Sequence, residues 1–148
     1  MLVNQFLQDS AERSPAKTAL VCDGRRLTYG QVEEQANRAA NGLLALGVQR
    51  GDRVAVWLPN SVETAIAIFA ILKAGAVFTV INSTTKPDKL AYVLNNCEAV
   101  ALFAPRRGAE QAAVVAGRSG RADVAPRGRG LRRRPRTEHG PRAAAADG

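Results

Sequence analysis

The sequence has little of what metal centres and nucleophilic sites are made from: one His, two Cys and one Trp in 148 residues. Its single histidine, His139, lies among Arg and Pro with no partner spaced to make it a general base, so it reads as a solvated loop residue. Cys22 and Cys97 stand apart without a Cys-x-x-Cys or Cys/His spacing, which excludes a disulfide framework and a zinc site and leaves two small buried hydrophobes. The N-terminus, Met1-Leu2-Val3-Asn4-Gln5-Phe6, has no basic segment and no continuous apolar core before Asp9, so it does not read as a signal peptide and a cytoplasmic location is expected. Long apolar runs are nearly absent too. The one candidate, residues 64–81, carries a single charge, Lys73, and is near the minimum length for crossing a bilayer. Gly75 and the switch to Val77-Phe78-Thr79-Val80-Ile81 divide it into a buried helix, a turn and a buried strand, so no membrane span is expected. Lys73 is expected to snorkel from the helix end or to approach its terminal carbonyls.

What is present changes character at Pro105. Residues 106–148 hold eleven Arg against Glu110, Asp123, Glu138 and Asp147, and so carry +7 of the formal +8. The first 105 residues hold ten basic and nine acidic side chains and are nearly neutral. The high pI therefore belongs to the C-terminal stretch and not to a folded surface. That stretch has no aromatic residue, and Val114, Val115, Val124 and Leu131 are its only large aliphatics. Such a composition does not offset chain entropy with a core, so a disordered tail is expected, with at most a helical turn or two around 109–116. Clustered Arg, including Arg132-Arg133-Arg134, predicts salt-dependent sticking to polyanions. No specific nucleic-acid function is expected, because no aromatic is interleaved for base stacking and no recognition fold precedes the cluster.

The body reads as one domain of alternating elements. Val3, Phe6, Leu7 and Ala11 have helical spacing, and Ser14-Pro15 closes that helix. Residues 18–22 and 25–28 flank Asp23-Gly24, a type I′ hairpin turn. Thr28 and Gln31 form a capping box for a helix reaching about Leu46, which Gly47 ends. Strands are expected at 54–58, 77–81 and 99–103, the last of the chain, with helices at 61–74 and 87–96 between them. Asn60 and Glu63 are read as a second capping box, and Pro87 as a first-turn proline. The fold class is α/β, a partial open parallel sheet with crossover helices plus a small N-terminal hairpin.

With the elements laid out, the body resembles the N-terminal part of the AMP-forming adenylating enzymes, the superfamily of acyl-CoA synthetases, peptide-synthetase adenylation domains and luciferases. One early motif is carried by Leu27-Thr28-Tyr29, Ala36-Asn37-Arg38 and Gly47-Val48-x-x-Gly51-Asp52-x-Val54-Ala55, and a second by Leu72-Lys73-Ala74-Gly75-Ala76-Val77. The string Asn82-Ser83-Thr84-Thr85-Lys86-Pro87-Asp88-Lys89-Leu90-Ala91-Tyr92-Val93-Leu94-Asn95-Asn96-Cys97 is similar to the acyl-CoA synthetase branch. Coverage is about residues 3–105. The roles of these residues are structural: Thr28 caps a helix, Tyr29 packs at its first turn, Gly51-Asp52 turns into a strand, Gly75 ends a helix, and Trp57 is core.

The resemblance implies a parent that activates a carboxylic acid with Mg-ATP to an acyl-adenylate and then passes the acyl group to coenzyme A. That chemistry needs a Ser/Thr/Gly-rich phosphate loop with its Lys, a metal-binding acid, an Asp on the ribose and a late Lys. None of these motifs occurs here, and Thr84-Thr85-Lys86 lacks the glycine of a phosphate loop. No catalytic, cofactor-binding or metal-binding residue is therefore expected in these 148 residues, and no cofactor of their own, ATP, Mg and CoA being implied for the parent. The expected division is 1–105, an N-terminal subdomain of the synthetase/ligase type, and 106–148, a tail of Arg, Ala, Gly and Pro that fits a frameshift product. Thirty-one of its 43 residues are these four, whose codon families are G/C-rich. The alternatives are a peptide-synthetase adenylation fragment and a non-catalytic docking module whose unfinished sheet edge invites self-association or aggregation.

Overall fold

The structure is a computed structural model that describes residues 2–105 and the strand at 112–116. Helix α1 (Val3–Arg13) leads into a hairpin of β1 (Thr18–Cys22) and β2 (Arg25–Thr28). Asp23 and Gly24 both take positive φ, 49° and 76°, the geometry their residue types predict for a type I′ turn. Helix α2 (Tyr29–Ala45) starts on Thr28, whose hydroxyl accepts from the Gln31 amide at 3.3 Å while the Gln31 side chain accepts from the Thr28 amide at 2.9 Å. The capping box stands as expected.

The order β3 (Arg53–Val56), α3 (Val62–Lys73), β4 (Val77–Val80), α4 (Pro87–Asn96), β5 (Ala99–Pro105) builds a parallel sheet β4-β3-β5. Its two faces are covered by different helices. Val54, Val56, Ala101 and Phe103 pack under Ala40 and Leu43 of α2 and Ala67, Ala70 and Ile71 of α3. Alternate residues, Ala55 and Leu102, face Leu90 of α4 and Ile81. The period of two along each strand distributes side chains between these cores. A third cluster joins Leu7 of α1, Val32 and Ala36 of α2 and Ile66 of α3, with the hairpin residues Leu20 and Leu27 and with Tyr29 against it.

The structure corrects several expectations. β4 is an edge strand and not a buried one: Val77, Phe78 and Val80 are 51%, 39% and 54% exposed. Apolar residues on both faces of a strand predict two-sided cover, but among the described residues β4 has a neighbouring strand on its β3 side alone and its side chains stay about half exposed. Helix α3 is capped by Ser61, whose hydroxyl accepts from the Thr64 amide at 3.4 Å, and not by Asn60. The one-residue shift puts Glu63 outside any box and frees it for a distant partner. β5 is not the last strand either. β6 (Ala112–Ala116) pairs antiparallel with it, Phe103 opposite Val114, where the sequence suggested at most a helical turn. Tertiary pairing overrides the helix propensity of an Ala-rich segment there. The remaining residues of the expected disordered tail, 106–111 and 117–148, lie outside the described residues, as does His139. Among the described residues no helix is long and apolar enough to cross a membrane.

Candidate functional site

In a parallel sheet the place to look for chemistry is outside the carboxyl ends of the strands, where loops and helix N-termini converge. Here that end carries Trp57 after β3, the 59–61 turn into α3, and the 82–86 loop after β4. Several of its polar groups are engaged locally. The Thr64 hydroxyl donates to the Pro59 carbonyl at 2.7 Å. Asn82 Oδ1 accepts from both the amide and the hydroxyl of Thr84 at 2.9 Å, and the Thr85 amide donates to the Asn82 carbonyl at 2.9 Å. This loop is therefore a turn folded on itself that precedes α4, with Lys86 at the N-cap and Pro87 in the first turn. A cradle for phosphate would need those amides to point outward. The exception at this end is the indole of Trp57, half-buried against the α4 face, whose Nε1 is buried without an acceptor. An unpaired buried donor costs about 1–3 kcal/mol.

Other side-chain groupings lie elsewhere. Lys73, 10% exposed at the end of α3, donates from Nζ to Glu33 Oε1 of α2 at 2.6 Å. It neither snorkels nor turns to its own carbonyls, because α2 brings a carboxylate alongside. Asn37 Nδ2 donates to the same Oε1 at 3.1 Å, leaving Glu33 Oε2 buried and unpaired. Arg25 of the hairpin bonds Glu63 of α3 at 2.5 Å. Burial by itself would raise the Glu63 carboxyl, but the Arg25 hydrogen bond, a backbone amide and the Arg25 charge together hold it below the ordinary range.

Cys22 and Cys97 are both partly exposed and not the buried hydrophobes expected, since Cys22 ends β1 and Cys97 caps the C-terminus of α4. The Cys22 thiol lies 3.6 Å from the Asp23 carboxylate and 3.8 Å from the Asn60 carbonyl. Partial burial, and then the Asp23 carboxylate, push it up from the usual thiol value, which keeps it protonated and weakly nucleophilic. Among the described residues no group of three His, Cys, Asp or Glu could hold a metal ion.

The Arg25–Glu63 and Lys73–Glu33 pairs join residues 38 and 40 positions apart, so no local sequence signal could have found them. The unpaired indole donor likewise depends on tertiary packing. In these groupings the Glu33 and Glu63 carboxylates are each turned to a cation of another element. They join helices and hairpin into a scaffold.

Comparison with known proteins places this scaffold. The model of the AMP-binding enzyme family matches residues 7–139, running past Pro105. A medium/long-chain-fatty-acid–CoA/3-oxocholest-4-en-26-oate–CoA ligase of Mycobacterium marinum is 38% identical over 119 residues, 78% of this chain and 22% of the ligase. Tyrocidine synthase 2 of Brevibacillus parabrevis is 38% identical over 100 residues, 68% of this chain and 3% of that protein. Among solved structures, the inhibitor-bound N-terminal domain of FACL13 from Mycobacterium tuberculosis superposes with a TM-score of 0.64 at 34% identity, covering 68% of this chain and 26% of that domain. The chain thus spans about a fifth of the length of the curated ligase it matches. With the family model covering most of its length and the sheet superposing on a solved member, this chain belongs to the AMP-binding enzyme family.

Proposed function

We propose that the chain is the N-terminal scaffold of an AMP-forming acyl-CoA ligase, and that these 148 residues have no adenylating activity of their own. The parent reaction under this reading joins a carboxylic acid to AMP from Mg-ATP with release of pyrophosphate, and then exchanges AMP for the thiol of coenzyme A. ATP, Mg, CoA and the acid are partners of that parent. Catalytic, cofactor and metal residues are assigned to none of the positions here. The observation that supports the reading is that, among the described residues at the carboxyl end of the sheet, Thr64, Asn82 and Thr84 are closed into local turns and caps. A cytoplasmic location goes with the reading.

The proposal includes the division into a body, 1–105, and an Arg-rich tail, 106–148, that arises from a shifted reading frame. Because the family match continues to residue 139, the position of the break is its most exposed element. Reading the other two frames of the underlying DNA tests it: a Ser/Thr/Gly-rich phosphate loop beyond codon 105 supports the idea, and its absence from both frames sinks it. An adenylation unit of a peptide synthetase is the second reading, supported by the match to tyrocidine synthase 2. The 82–97 string favours the acyl-CoA branch. ATP–pyrophosphate exchange on the purified chain, with fatty, aromatic and amino acids in turn, checks inactivity. Exchange should stay at the blank for every acid, and clear turnover with any of them overturns the proposal.

A further inference from the structure

The open edge of β4 is built to accept another strand. The Val77 amide donates to Asp52 and the Ile81 amide to Val56, so in the alternating ladder the N–H and C=O groups of Phe78 and Val80 point away from β3. Apart from its shortness, four residues, none of the usual protections of an edge strand is found among the described residues. Val77-Phe78-Thr79-Val80 has no charge and no proline, and its pairing with β3 runs without a bulge. Phe78 and Val80 stand in register with Val54 and Val56 and share one face, where they are 39% and 54% exposed.

We propose that β4 pairs antiparallel with β4 of a second copy of this chain about a two-fold axis through Thr79, fusing two sheets into one. The inference does not depend on the ligase reading. In this register Phe78 lies opposite Val80 of the second copy, and each such pair exchanges both of its outward hydrogen bonds. Four apolar side chains then close on one another across the axis, on the face of Val54 and Val56. The arrangement is isologous, so it stops at two copies. Pairing β4 with the sheet's other edge, β6, of the next copy would instead be head-to-tail and would continue without limit. A strand of four residues a side is far short of the roughly 20–30 residues of a standard interface. The dimer should therefore be weak and concentration-dependent.

Sedimentation velocity of the full chain over a concentration series, together with cysteine cross-linking, tests this. The expected result is a monomer–dimer equilibrium. Val80→Pro removes an amide that faces away from β3, so the internal ladder is kept; with an unchanged far-UV spectrum it should weaken the dimer at least tenfold. In a Cys22→Ser/Cys97→Ser background, Thr79→Cys should form an intermolecular disulfide under mild oxidation. The paired Cα atoms at a non-hydrogen-bonded position lie about 4.5 Å apart, within the disulfide range. Val77→Cys should not, because the two copies of position 77 fall about 13 Å apart at ~3.3 Å per residue. A monomer at every concentration, an open series of larger species, or cross-linking at 77 in preference to 79 overturns the proposal.

Discussion

Replacing Lys73 by Met would expose what the contact between α2 and α3 depends on. Methionine keeps the length and apolar stem of the side chain but removes the ammonium that sits 2.6 Å from Glu33 Oε1. Glu33 is only 17% exposed, its second oxygen is already buried without a partner, and Asn37 alone would remain on the first. Breaking a buried pair by removing one partner costs about 3–5 kcal/mol, against ~0–1 kcal/mol for an exposed pair. The residual exposure of the two side chains places the expectation at the lower end, about 3 kcal/mol. With an m value of ~2 kcal/mol/M, the urea midpoint should fall by about 1.5 M. Adding Glu33→Leu to Lys73→Met should recover most of that loss, because an apolar pair of similar volume replaces a buried ion pair at little cost. Equilibrium urea unfolding of the chain, the two single variants and the double variant gives the cycle. A Lys73→Met loss under ~1 kcal/mol, the range of a solvated pair, or additive single effects with no recovery in the double variant, would refute the reasoning.

Two further outcomes follow from the perturbed groups. The Glu63 carboxyl is held below its ordinary value of 4.5 in the folded chain, so it contributes stability that is present above that value and lost as pH falls through the lowered one. Arg25→Met should therefore flatten the fall in melting temperature as pH drops from ~5 to ~3, and an unchanged acid limb would disprove the assignment. Cys22, with its thiol raised by partial burial and the Asp23 carboxylate, should alkylate slowly near neutral pH. Asp23→Asn keeps a residue tolerant of the positive φ of 49° and should speed iodoacetamide labelling of Cys22 in a Cys97→Ser background. Equal rates would show that the carboxylate has no part in it.

The chain order of elements as far as β5, the hairpin turn, the α2 cap and the glycine-ended helices were legible in the residues themselves, because each rests on a local cause. Asp23-Gly24 takes positive φ at both positions, Thr28 and Gln31 close on each other within one turn, and Gly47 and Gly75 accept φ of 88° and 74° where an L side chain is strained. What only the tertiary structure decided depends on which elements become neighbours. An apolar strand looks alike at the centre and at the rim of a sheet, so the exposure of β4 followed from its place in the order β4-β3-β5-β6. Lys73 could not be assigned its carboxylate, nor Glu63 its guanidinium, until α2, α3 and the hairpin were brought together across 40 and 38 residues. Local propensity fixes a backbone through interactions within a turn or two, whereas ion pairs and edges are properties of packing between segments far apart in the chain.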